Sequence, residues 1–321
     1  MIRVGLVGTG YAAKLRAETI NQSDRAQLVG VAGNTPNKTK DFGHTHQTQA
    51  FDAWQDLIHQ DSIDLVIVCG VNAQHGEIAR SALEQGKHVI VEYPLSISFE
   101  EGTQLLALAK SRNLVLHVEH IELLGGVHQA FLQTLSQVGT PFYARYITLT
   151  PQHPAPQKWT FNPDLFGFPL VGALSRLHRL THVFGEVETV SCQSRYWKTE
   201  STHYAGCLCK AQLQFKSGLM ADVIYGKGEI VWTPERKLEV QGDRAALIFD
   251  GDEGAIVNSD GVQAVSVGSR RGLFAKDTEA VLQHLIDGTP LYVQPEESLY
   301  TLKVATAAQR SAETGETVHL E

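Results

Sequence analysis

The sequence predicts a two-domain protein: an α/β N-terminal Rossmann domain with a doubly wound, mostly parallel sheet, and an α+β C-terminal domain with a large antiparallel sheet. Three observations predict it. Gly8-Thr9-Gly10-Tyr11-Ala12-Ala13 stands between an apolar strand and a helix-forming run, with the glycine spacing of a dinucleotide-binding turn. Strand and helix patterns then alternate to residue 118. From Tyr143 onward the pattern changes to short strands of alternating polarity separated by turn residues. A chain of 321 residues is long enough for two cores, with the break expected as 1–121 for the dinucleotide and 122–321 for substrate.

In the first strand, Val4 to Val7 lead directly into Gly8, which can take the backbone angles of a tight turn. Gly10 has no side chain to obstruct a pyrophosphate, and Ala13 lets helix and strand pack closely. The first helical amides, at Tyr11 and Ala12, would face the phosphates, where the helix dipole favours negative charge. The second strand, 27–32, ends without the acidic residue that usually meets the ribose of NAD. Asn34 and Thr35 offer neutral hydrogen bonds there, and Lys38 and Lys40 offer positive charge, so NADPH is expected over a weaker NADH. The continuous apolar run 64–70 reads as a parallel strand buried on both faces, followed by Asn72 and His75 at the start of a helix. Gly86 ends that helix, 88–91 is the next strand, and Glu92-Tyr93-Pro94 follows at its ligand-binding carboxyl end. Ser98 and Glu101 read as a capping box opening a helix to Ser111, and 114–118 is a last strand.

After Gly125-Gly126 a helix runs to Val138, and strands are expected at 143–149, 187–197, 207–215, 219–226, 236–241, 245–250 and 262–267. Lys216-Ser217-Gly218 and Asp250-Gly251-Asp252 read as hairpin turns. Two late helices, 275–287 and 296–313, stop at Gly288 and Gly315. Between the first two strands, 169–184 reads as one helix in which Arg176 and Arg179 share a face beside apolar neighbours.

A net charge of −8 argues against nucleic acid as the main partner, and no apolar run reaches membrane-spanning length. The first strand begins at residue 2, so no leader is expected. Four cysteines, with Cys207 and Cys209 on one face of a strand, read as reduced core thiols with no metal site, which points to the cytoplasm.

The Gly8 fingerprint, Asn72 with His75, GKHV at 86–89 and Glu92 with Pro94 together resemble the glucose-fructose oxidoreductase / inositol dehydrogenase superfamily. Most members carry Lys between that Glu and Pro, where this chain has Tyr93, and an Asp/His proton relay in the second domain. No Asp occurs in 166–185, so both departures point away from sugar oxidation. EYPLS at 92–96, HVEHIELLGGVHQ at 117–129, FYARY at 142–146, PAPQKWT at 154–160, FGFPLVGALSR at 166–176, DVIYGKGE at 222–229 and GSRRGLF at 268–274 resemble, within it, the biliverdin reductases of the cyanobacterial type.

That resemblance implies hydride transfer from NADPH to the central C10 methine of biliverdin IXα, giving bilirubin IXα, with a proton passed to a pyrrole nitrogen. It also implies that Arg176 assists protonation. A guanidinium is a poor acid, so stabilising developing charge suits it better, and Tyr93 is a second donor candidate. Arg179, Lys158, Arg270 and Arg271 are candidates for the propionates, with Trp159, Phe168 and His120 also at the substrate. Tyr146, Phe161, Phe166, Trp197 and Tyr225 are further candidate walls for a flat slot, while His75 and His117 fit structural roles better. A monomer is expected. The competing readings are a sugar, polyol or imine oxidoreductase of the same superfamily, or a non-catalytic NADP(H)-binding sensor.

Overall fold

The computed structural model describes residues 1–320. In chain order the elements are β1 (Ile2–Val7), α1 (Tyr11–Gln22), β2 (Ala26–Ala32), α2 (Pro36–Thr45), β3 (Gln49–Phe51), α3 (Trp54–Ile58), β4 (Leu65–Val68), α4 (Asn72–Glu84), β5 (His88–Val91), α5 (Phe99–Ser111) and β6 (Leu116–Val118). They continue with α6 (Gly126–Val138), β7 (Pro141–Pro151), α7 (Pro163–Phe166), α8 (Pro169–Gly172), α9 (Ser175–Phe184), β8 (Val187–Lys198), β9 (Tyr204–Phe215) and β10 (Met220–Gly228). The remainder is β11 (Glu235–Gly242), β12 (Ala246–Asp250), β13 (Glu253–Asn258), β14 (Gly261–Val265), α10 (Leu273–Asp287), α11 (Pro295–Thr314) and β15 (Val318–His319). Two compact units result, one of Met1–Ile121 with Gly272–Leu299, the other of Glu122–Arg271 with the residues from Tyr300 on.

The first unit holds a six-stranded parallel sheet in the order β3-β2-β1-β4-β5-β6. Its central strand shows why it is parallel and internal. Leu65 and Ile67 of β4 join the apolar cluster on one face, with Ala13, Ala17 and Ile20 of α1, while Val66 and Val68 join the other, with Ile78, Ala79 and Leu105. Successive strand residues point to opposite faces, so an unbroken apolar run needs helices on both sides. Each such fully buried aliphatic side chain contributes about 1.5–3 kcal/mol.

Residues 272–299 return to this unit instead of continuing an unbroken 122–321 domain. The reason is packing: Val281 and Leu282 of α10 complete the cluster that holds Ala13, Ala17 and Ile20 of α1. The capping box forms by half. Ser98 Oγ accepts the Glu101 amide at 3.3 Å, but the Glu101 carboxylate takes a hydrogen bond from Ser96 Oγ.

The second unit is built on a nine-stranded sheet, β14-β13-β12-β11-β7-β10-β9-β8-β15. It is mixed, because β10 pairs in parallel with β7 while the other neighbours are antiparallel. Gly218 (φ 89°) and Gly251 (φ 60°) occupy the two anticipated hairpin turns. Strands β3, β13 and β15 were not anticipated; two are only 3 and 2 residues long, too short for a period to register. The expected helix 169–184 is broken into α8 and α9 at Ala173-Leu174.

Candidate active site

In the first unit the glycine turn has the geometry a pyrophosphate requires. Gly8 sits at φ 128°, and a Cβ there would stand 2.5 Å from the Cys69 carbonyl oxygen, so no other residue fits. A Cβ on Gly10 would meet nothing within 4 Å, which leaves the approach to the α1 amides open. No acidic residue occupies the first turn of α1, and no side chain caps its N-terminus. Asn34, Thr35 and Lys38 are exposed beyond β2, with Asn34 Nδ2 donating to Gln74 Oε1 at 3.1 Å. These residues fit a dinucleotide carrying a ribose phosphate.

Asn72 and His75 lie buried at the start of α4. Both His75 nitrogens face carbonyls, Nδ1 at 2.8 Å from Pro94 O and Nε2 at 3.3 Å from Gly70 O, so the N–H belongs to the shorter contact. Burial lowers its pKa, keeping the ring neutral and bracing the Tyr93-Pro94 segment. Tyr93 is partly exposed, and its ring stacks on His120 at 5.5 Å. His120 Nε2 pairs with Ser298 Oγ at 2.8 Å, so this histidine is a fixed support for Tyr93 within the first unit.

Glu92, expected at the cofactor, has its carboxylate held by Arg16, whose Nε donates to Oε1 at 2.7 Å. Arg16 is wholly buried and also reaches Asp277 at 2.7 Å and Thr278 Oγ1 at 2.9 Å. Asp277 accepts in turn from His117 Nε2 and the Tyr292 hydroxyl, both at 2.7 Å. Burial works against the Asp277 charge, but Arg16, then His117 and Tyr292, hold the carboxyl well below its usual range. Sequence reasoning missed this network. Its signal was present, since Arg16 shares the buried stripe of Ala13, Ala17 and Ile20 on α1.

In the second unit α9 carries Arg176 and Arg179 over one face of the sheet. Arg176 Nε donates to Thr148 Oγ1 at 3.0 Å and Nη1 to Ser175 Oγ at 2.6 Å. The guanidinium carbons of Arg176 and Arg179 stand 5.8 and 5.7 Å from the centre of the Tyr146 ring. Arg236 of β11 pairs in register with Thr148, so it lies on the same face. Burial lowers the Arg236 pKa, with Tyr146 opposing and Arg270, Arg176 and Arg179 adding to the fall. Three arginines, Arg176, Arg179 and Arg236, therefore concentrate positive charge around Tyr146. Arg179 is only 2% exposed, and its Nε and Nη1 have no hydrogen-bond partner among the described residues. Its charge acts inside the cluster, whereas Lys158, Arg270 and Arg271 face solvent.

The aromatic candidates divide. Phe161, Phe166 and Tyr225 are buried and, with Tyr204, surround the Lys227 ammonium at 4.8, 3.9, 5.7 and 5.6 Å, so they form a cage instead of a slot wall. Trp159, Phe168 and Trp197 stay partly exposed. Lys227 donates to Thr160 O at 2.5 Å, and burial lowers its pKa to about 8. Cys192, Cys207 and Cys209 are buried thiols without a disulfide.

Residues 2–120 match the oxidoreductase family, NAD-binding Rossmann fold, and residues 136–320 match the oxidoreductase family, C-terminal alpha/beta domain. A solved biliverdin reductase from Synechocystis sp. PCC 6803, in complex with biliverdin and NADP+, is 48% identical with a TM-score of 0.96, covering 97% of this chain and 99% of that one. Biliverdin reductase A of Mus musculus is 24% identical over 96% of this chain and 95% of its own length. A UDP-N-acetylglucosamine 3-dehydrogenase from Acidithiobacillus ferrooxidans shares the fold, with a TM-score of 0.79 and 20% identity over 97% of this chain and 98% of that one. No helix among the described residues is long and apolar enough to cross a membrane. The chain belongs to the glucose-fructose oxidoreductase / inositol dehydrogenase family of oxidoreductases and, within it, to the biliverdin reductases.

Proposed function

We infer that this protein is a biliverdin reductase, using NADPH to reduce biliverdin IXα at C10 to bilirubin IXα in the cytoplasm. The carrying observation is the 48% identity to the Synechocystis enzyme, spread over both units. NADPH supplies the hydride. Gly8, Gly10 and the amides of Tyr11 and Ala12 hold its pyrophosphate, and Asn34, Thr35 and Lys38 its ribose phosphate. Asn72, His75 and Glu92 shape the end of β5 so that Tyr93 borders the reacting ring. On the second unit, Arg176 holds the negative charge that reaches the tetrapyrrole with the hydride. Trp159 and Phe168 flank the bilin, and Lys158, Arg236 and Arg270 attract its propionates.

Mixing the protein with biliverdin and NADPH tests this directly. The red absorption of the green pigment is expected to fall as the blue band of bilirubin rises. NADPH binding without any spectral change, at acidic and neutral pH and with either nicotinamide, would instead mark a sensor. The ribose-phosphate assignment has its own check. Lys38→Glu is expected to raise KM for NADPH about tenfold and leave that for NADH within a factor of about two, measured by initial rates.

A further inference from the structure

We propose that the phenolic hydroxyl of Tyr146 is the immediate proton donor in this reduction, and that Arg176, Arg179 and Arg236 hold the tyrosinate it leaves behind. The inference rests on the biliverdin reductase reading and names a residue which that reading leaves without a role. The reaction needs a proton at a pyrrole-type nitrogen as the C–H bond forms at C10. A guanidinium gives up its proton too reluctantly to supply it.

The placement of Tyr146 supplies what Arg176 lacks. Tyr146 and Thr148 are two residues apart on β7 and so share a sheet face. Arg176 is tied to Thr148 by hydrogen bond, and Arg236 is paired with it in register. The Tyr146 ring therefore shares its sheet face with these arginines and has two guanidiniums of α9 within 6 Å of its centre. Burial pushes its phenol up, Arg176, then Arg179 and Arg236, bring it down, and Glu122 opposes them; the balance stands at about 8. Such a phenol is protonated at neutral pH yet acidic enough to transfer its proton. His128, the buried histidine near Arg179, is driven down to about 3 by burial and then by that arginine, so it stays a neutral imidazole without the acidic proton of an imidazolium.

The step balances. The hydride from NADPH makes the C–H bond at C10, and a π pair of the methine system moves to the pyrrole-type nitrogen. That nitrogen takes the proton as the Tyr146 O–H bond breaks, and water returns a proton to the tyrosinate. The tetrapyrrole gains two electrons, NADPH loses two, and one solvent proton is consumed.

Tyr146→Phe keeps the ring beneath both arginines and removes only the proton. Its single-turnover rate is expected to fall about 100-fold with KM for biliverdin within about threefold of wild type. The donor must be protonated, so the wild-type rate declines as pH rises through about 8. That limb is expected to vanish in Tyr146→Phe and to remain in Tyr93→Phe. Should Tyr146→Phe fail to bind NADPH, a fluorinated tyrosine at 146, more acidic but isosteric, is expected to move the limb to lower pH. An unchanged rate, a slower rate with the limb intact, or a limb unmoved by fluorination each overturns the proposal. A wild-type protein that does not bleach biliverdin fails the underlying reading instead.

Discussion

Arg176→Ala is expected to lower kcat by about 10²–10³, the loss seen when one preorganised donor to a developing charge is removed. NADPH affinity should change little, because the proposed cofactor residues belong to the first unit and Arg176 to the second. In the proposed reaction the bilin acquires its negative charge only as the hydride arrives, so the loss is expected in kcat, through the transition state more than the bound substrate. Arg176→Lys keeps the charge but not the planar fork that bonds Thr148 and Ser175 at once, so it should recover only part of the rate. A second effect ties Arg176 to Tyr146. Arg176 is the largest influence lowering the Tyr146 pKa, so its removal should carry the alkaline limb to higher pH. Single-turnover rates across pH measure both effects. Near-normal turnover in Arg176→Ala would remove the arginine from the mechanism.

The cofactor half was legible in the sequence because its signals are local. A glycine forced to φ 128°, a parallel strand without polar interruption and a missing acid after β2 are each read within a few residues. The arginine pair on α9 was legible for the same reason, being three apart on one helix. What escaped depends on register and return. That Arg236 lies opposite Thr148 follows from how β11 pairs with β7, across more than eighty residues of intervening chain. That Phe166 covers the Lys227 ammonium follows from where α7 is seated against β10. Strand β10 beside β7 in parallel was hidden likewise, since hairpin signals give neighbours in sequence and say nothing of the far edge of a hairpin. Asp277 shows the same limit. Its helix reads as an ordinary amphipathic segment until α10 meets α1 and the carboxylate finds Arg16.

That meeting carries the largest expected effect on stability. Asp277→Ala is expected to cost about 3–5 kcal/mol, because it leaves the buried Arg16 guanidinium without one of its two carboxylates. His117 and the Tyr292 hydroxyl would lose their acceptor in the same change. Asp277→Asn keeps an acceptor of similar shape and isolates the charge. If the pair is costly to break but not intrinsically stabilising, Arg16→Met combined with Asp277→Leu should lose less than Asp277→Leu alone. The pH dependence fixes the sign independently. Asp277 has a depressed folded-state pKa, so its contribution is complete above the unfolded value of about 4 and disappears as pH falls below it. Wild-type stability should therefore drop more steeply below about pH 4 than that of Asp277→Asn, as read from denaturant midpoints taken at each pH. Parallel curves for the two proteins would mean that Arg16 is neutralised by Glu92 alone, and that α10 is held to α1 by its apolar face without help from the ion pair.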